Sequence, residues 1–113
     1  MEVNFACKTI SLDKILKCSF ELNNTELDIL KYLDNAEKSA KDISKDLEKD
    51  LATVQRNLKS LHEKKLIIRR QYNLDTGSYT FHYKSKPKKY LKQKMKDNFE
   101  HFSKLVLQKI EDL

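Results

Sequence analysis

Within DLATVQRNLKSL, residues 50–61, Thr53, Gln55, Arg56 and Lys59 stand among the apolar residues Leu51, Val54, Leu58 and Leu61, and no acid follows Asp50. Apolar residues at that spacing line one side of a helix, which turns Ala52, Thr53, Gln55 and Arg56 outward. The outward set has a definite chemistry. The Gln55 amide can donate to and accept from one planar edge, as adenine offers it. Arg56 can give guanine two parallel N–H bonds, and the Thr53 methyl can touch a thymine methyl. Lys59, one turn further on, suits a phosphate. Each residue also has a plainer use: Thr53 in supporting a helix cap, Gln55 as a helix former, Lys59 with its stem over Leu58. A solvated face, however, would normally mix both signs of charge.

Other chemistry has little support. There is no Gly-rich phosphate cradle, no nucleophile elbow and no metal triad, and Cys18, His62 and Glu63 lack partners that a catalytic site would need. His62, His82 and His101 are scattered, and neither Cys7 nor Cys18 has a CxxC partner, so no metal or cofactor is expected. The N-terminus, MEVNFACKTI, reads as neither a signal nor a transit peptide, and no apolar run reaches membrane-spanning length. A cytoplasmic protein with reduced thiols and no membrane partner is the expectation, with the cysteines in their usual place as buried small hydrophobes.

Charge is segregated along the 113 residues. Residues 1–50 carry 8 basic against 11 acidic side chains, a net −3. Residues 51–96 carry 13 basic side chains against Glu63 and Asp75 alone, a net +11, and residues 97–113 come to −2. A basic block between near-neutral or acidic flanks is the asymmetry of a surface that meets a polyanion.

Several elements must position that block. Leu12, Ile15, Leu16 and Phe20 predict a short lead-in helix. A second helix opens at Asn23 or Asn24, with Glu26 placed for a capping box and Leu27, Leu30 and Leu33 (or Ile29) as its stripe, and ends at Asp34-Asn35. Ser39 caps a third, with Ala40, Ile43 and Leu47 inward, and Asp50 caps the fourth, Leu51 to about Lys65. Two short helices joined so briefly must cross steeply, as in a helix-turn-helix. The period then changes to two: residues 68–72 and 79–83 alternate as strands around the turn cluster Asn73 to Ser78, which holds the single glycine. This is a β-hairpin, and the order of elements makes it the wing of a winged helix. Arg69, Arg70 and Lys84 flank it and Lys86, Lys88 and Lys89 follow, all suited to phosphates. Its tip, LDTGS, is not basic and offers a groove only hydroxyl and backbone groups.

After Pro87 no breaker interrupts Lys88 to Leu113, a helix of about 39 Å. Leu91, Met95, Phe99, Phe102, Val106 and Ile110 form a stripe along it. A small winged helix cannot cover a stripe of that length, which predicts dimerisation through the same helix of a second copy; the alternative is a helix folded back on its own domain.

The run from Leu22 to Lys86 resembles archaeal TrmB/MarR-like winged-helix transcriptional regulators, through LNNTELDILKYL, DISKDL, TVQRNLKSL and EKKLIIRR. The preceding LDKILKCSFELN is similar to the lead-in of small archaeal members. The resemblance covers about two-thirds of the chain, TVQRNLKSL being its most specific part, and implies an archaeal or archaeal-virus setting. Leu51-Ala52 stands where the family often has Arg-Ser. Glu48 or Lys49, and Lys65, stand where it often has glycine, and the cost of a non-glycine residue at positive φ predicts an opened or longer turn.

The sequence therefore predicts a mostly α protein with a small β-hairpin: a lead-in helix over 1–20, a winged helix-turn-helix over 21–86 and a long dimerisation helix over 87–113. Its expected partners are double-stranded DNA and a second copy of itself. The competing reading is a winged helix that serves as a protein-interaction module and recruits a basal transcription factor. Such a docking face would be more apolar and less uniformly basic than residues 51–96.

Overall fold

The computed structural model describes residues 2–113 and divides into two compact units, residues 2–21 with 87–113 and residues 22–86. In chain order the elements are β1 (Glu2–Phe5), β2 (Lys8–Ser11), α1 (Leu12–Phe20), α2 (Asn24–Tyr32), β3 (Lys38–Ser39), α3 (Ala40–Asp46), α4 (Leu51–Glu63), β4 (Ile67–Asn73), β5 (Tyr79–Ser85) and α5 (Lys88–Glu111). The architecture is a winged helix-turn-helix with a long C-terminal helix, as the sequence predicts.

The middle unit packs α2, α3 and α4 around Leu27, Ile29, Leu30, Leu33, Ile43, Val54, Leu58 and Leu61, all buried. Every helix start there is capped by a side chain. Asn23 accepts from the Glu26 N–H at 2.7 Å while the Glu26 carboxylate accepts from the Asn23 N–H at 3.0 Å, a complete capping box. Ser39 accepts from Asp42 N–H and Asp50 from Thr53 N–H, so these caps satisfy donors that the helix itself leaves orphaned.

The turn of the helix-turn-helix is closed, not opened. Glu48 takes φ +52° and its N–H bonds the Lys45 carbonyl, while the Lys49 N–H reaches the Ser44 carbonyl at 3.0 Å. That is the Schellman pattern with glutamate in the place glycine usually takes. Lys65 (φ +62°) repeats it after α4, with Leu66 N–H on the Leu61 carbonyl at 3.1 Å. The expectation of a longer turn treated the left-handed residue as too costly. Two recovered hydrogen bonds per turn offset that cost, and the second turn delivers Leu66 into the core beside Ile67.

Beyond Ile67, β4 pairs antiparallel with β5 from Ile67↔Ser85 to Asn73↔Tyr79. The connecting turn has Gly77 at φ +86° with its N–H on the Leu74 carbonyl. The two-residue β3 adds to the other edge of β5, giving the order β3-β5-β4.

In the other unit, β1 and β2 form a hairpin that the sequence pattern does not announce, followed by α1. Helix α1 lies along α5, where the Asn98 side-chain amide donates to the Ser19 carbonyl at 2.9 Å. Ile10, Ile15, Met95, Phe99 and Phe102, with Lys8 and Lys14, line an open groove of about 490 Å³ in this unit. No residue of α5 is buried, and its stripe continues past the groove through Phe102, Val106 and Ile110, all exposed. Cys7 and Cys18 are free and exposed, so neither is the buried small hydrophobe expected of it.

Candidate nucleic-acid interface

Helix α4 presents three stripes. Val54, Leu58 and Leu61 face the core. A polar seam faces α2: the Asn23 side-chain amide donates to Asn57 Oδ1 at 3.0 Å, Ser60 Oγ to Glu26 at 2.8 Å and Lys64 Nζ to Glu26 at 3.0 Å. The Asn57 amide also donates to the Thr53 carbonyl. Ala52, Gln55, Arg56 and Lys59 make up the third stripe, and all four are exposed.

Thr53 differs from its companions. It is half-buried, its backbone serves the Asp50 cap, and its hydroxyl accepts from Arg56 Nη2 at 3.2 Å. It stands behind Arg56 and steadies the guanidinium.

The seam explains how α4 is aimed. Glu26 is only 3% exposed, and burial by itself would raise its pKa. The Asn23 N–H, the Ser60 hydroxyl and the Lys64 ammonium outweigh that effect and hold the carboxyl below its usual range. Sequence reasoning found Glu26 as half of a capping box but missed its second oxygen and the two residues, Ser60 of α4 and Lys64 at its C-cap, that meet it. The signal was present: Asn57, Ser60 and Lys64 recur at helical spacing beside the apolar stripe. A second tie joins α2 to α3, where the Tyr32 hydroxyl donates to Asp46, which pushes the phenol up to about 12.

In the wing, alternation sends Arg69 and Arg70 to opposite faces. Arg70 is already engaged. Its guanidinium donates to the Tyr72 hydroxyl at 3.4 Å and lies 3.9 Å from Glu37, and the Tyr72 hydroxyl donates to Glu37 at 2.9 Å. Tyr72 also lies against His82, with ring centroids 4.8 Å apart. On the other face Arg69 sits 4.4 Å above the Phe81 ring, whose neighbour Tyr79 meets it edge-on at 5.3 Å. Lys84 is exposed, and Lys86 is half-buried with its N–H on the Leu66 carbonyl. Lys88 and Lys89 belong to the other unit, exposed in the first turn of α5. The predicted phosphate-binding residues thus fall into separate groups: Lys59 on α4, Arg69, Arg70 and Lys84 on the hairpin with Lys86 just after it, and two on α5.

Among the described residues, no group of three His, Cys, Asp or Glu side chains gathers where it could hold a metal ion, and no helix is long and apolar enough to cross a membrane.

Three helices, a tight turn and a hairpin beside them define a winged helix-turn-helix protein. The family model of bacterial regulatory proteins, arsR family, matches residues 23–69, the span from the α2 cap into β4. A solved structure described as a possible transcriptional regulator from Methanosarcina mazei Go1 is 29% identical, covering 99% of this chain and 96% of that one with a TM-score of 0.90. An uncharacterised protein of Methanocaldococcus jannaschii is 26% identical over 95% of this chain and 82% of its own length. The fold is shared more distantly with S. aureus MepR, solved as a DNA complex, at 23% identity and a TM-score of 0.57 over 85% of this chain and 79% of that one. The family match and the regulator likeness support DNA binding and transcription regulation as the class of function, and point away from an enzyme.

Proposed function

We propose that the chain is a sequence-specific DNA-binding regulator of transcription that acts in the cytoplasm as a homodimer, within the archaeal TrmB/MarR-like group that its sequence resembles. The observation that carries this reading is the outward stripe of α4, which is exposed, free of acid, and held in place by the seam to α2. In a helix-turn-helix the second helix enters the major groove with its N-terminal residues at base edges. Gln55 and Arg56 read the bases, Ala52 allows close approach, and Thr53 acts through Arg56. Lys59, Arg69, Lys84 and Lys86, with Lys88 and Lys89, meet phosphates and set affinity without reading sequence. Arg70 contributes once it leaves Glu37.

The apolar stripe of α5 supports the homodimer. Phe99 and Phe102 are 66% and 60% exposed in the single chain, and a second copy laid along the stripe and the neighbouring groove would cover both. Two copies present two recognition helices, so half-sites are expected about one helical turn apart, roughly 34–36 Å, or a multiple of it.

Titration of labelled duplex DNA at rising salt tests the reading. Neutralising several phosphates releases counterions, so the binding constant should fall by roughly a thousandfold or more between about 50 and 200 mM salt. A constant that stays flat over that range removes the DNA reading and favours the protein-interaction module.

A further inference from the structure

Neither strand of the wing carries an acid, and one of its faces holds two planar groups available for stacking. Tyr79 is 59% exposed, with its ring edge-on to Phe81 at 5.3 Å. The guanidinium of Arg69, also exposed, lies over Phe81 with its carbon 4.4 Å from the ring centroid. Phe81 itself is half-buried and backs both neighbours. On the same face the Gln71 amide donates to Asn73 at 3.2 Å, and this pair retains donors and acceptors of the kind that base edges require. Cross-strand pairing alone would account for Phe81. It does not account for a tyrosine left mostly in solvent on the same face as a supported guanidinium.

We propose that this face is a stacking platform for unpaired bases of single-stranded DNA, one base on the Tyr79 ring and one on the Arg69 plane. Bases stack on aromatic rings and on arginine guanidinium planes in single-strand recognition, and the cations of the strands match the backbone charge. A duplex keeps its base faces within the stack, so the platform is used only where the strands part. The inference goes beyond duplex recognition by α4 and does not rest on it.

The full chain is titrated at about 0.2 M salt, where purely electrostatic binding is weakened, with a labelled oligothymidylate of roughly 15 nucleotides and separately with a duplex. Tyr79→Ala should lower single-strand affinity roughly 5- to 100-fold while duplex affinity stays within about twofold, and Tyr79→Phe should restore it. Arg69→Lys keeps the charge but removes the plane, and should also weaken the single strand. The chain has five tyrosines and no tryptophan, so its tyrosine emission should be quenched by the oligonucleotide, less so in Tyr79→Ala. Unchanged single-strand binding by Tyr79→Ala, or equal loss on both DNAs, would overturn the proposal. So would tighter binding of RNA of matching length, which would move the platform to a different partner. A parent chain that binds the single strand but not the duplex, and loses the single strand in Tyr79→Ala, would count against the α4 reading and leave this one standing.

Discussion

Lys64→Met isolates what the buried carboxylate does for the fold. The substitution keeps the length of the stem and a good helix former, and removes the ammonium that contacts both oxygens of Glu26, at 3.0 and 3.3 Å. Breaking a fully buried pair costs about 3–5 kcal/mol, because a charge is left without its partner. Here the Lys64 side chain is 28% exposed, so water can reach the vacated side, and Ser60 and the Asn23 N–H still donate. The expected loss is therefore about 2 kcal/mol at neutral pH. The pH dependence has a fixed sign. The folded-state pKa of Glu26 lies below its unfolded value, so the unfolded chain takes up the proton first on acidification. Its contribution is fully present above the unfolded value, near 4.5, and is lost as pH falls through the folded value. In Lys64→Met the opposing burial effect regains weight and the folded pKa rises, which narrows its gap from the unfolded value, so the variant loses less stability on acidification than the parent and the difference between them shrinks. Urea unfolding followed by helical circular dichroism, repeated from pH 7 to about pH 3, measures both effects. A difference below about 0.5 kcal/mol at pH 7 would refute the reasoning, as would one that does not shrink once the carboxyl is protonated.

Other expectations follow from the same geometry. Lys65→Gly relieves a left-handed residue and should stabilise by about 0.5–1 kcal/mol in the same urea assay, net of the added freedom of the unfolded chain; a loss would mean that the Lys65 side chain makes up the difference. Arg56→Ala should cost roughly 1–3 kcal/mol on a preferred site and relax base preference, whereas Lys59→Ala should weaken all duplexes alike and reduce the salt slope by about one. Unaltered preference in Arg56→Ala would displace α4 from the groove. Val106→Asp with Ile110→Asp should convert a dimer in sedimentation into a folded monomer, and a parent chain that already sediments as a monomer at micromolar concentration would end the two-half-site scheme.

The sequence was most legible where structure is local. Ser39 and Asp50 are read correctly as caps, and Asn23 as one of two candidates, because each needs only a donor three residues on. The wing was legible because Gly77 and the β-branched and aromatic residues on either side mark a turn between strands. The β1–β2 hairpin was not. Glu2, Val3, Asn4 and Phe5 alternate polar and apolar over only four residues, too short a run to mark a strand, and the turn is Ala6-Cys7 with no glycine or asparagine. Strand β3 could not be read locally either, since Lys38 and Ser39 become a strand only when Tyr83 and His82 arrive beside them. The pairing of Arg70 with Glu37 was hidden for the same reason.

The base-reading set shows how a local reading blurs at its edges. At about 100° per residue, Leu51, Val54, Leu58 and Leu61 share one arc of α4, and Ala52, Gln55, Arg56 and Lys59 share a second. Thr53 falls in neither; its direction is that of Asn57, Ser60 and Lys64, the seam to α2. The structure agrees, since Thr53 is half-buried, its carbonyl accepts from Asn57 and its hydroxyl accepts from Arg56. One residue thus touches both the seam and the outward arc. Through Asn57, with Ser60 and Lys64 beside it, the capping box of α2 sets the rotation of α4 about its own axis. Through Arg56, Thr53 passes that rotation to the side chain with the greatest reach toward a base. The outward arc is therefore aimed both by the buried apolar arc of α4 and by polar contacts on its flank.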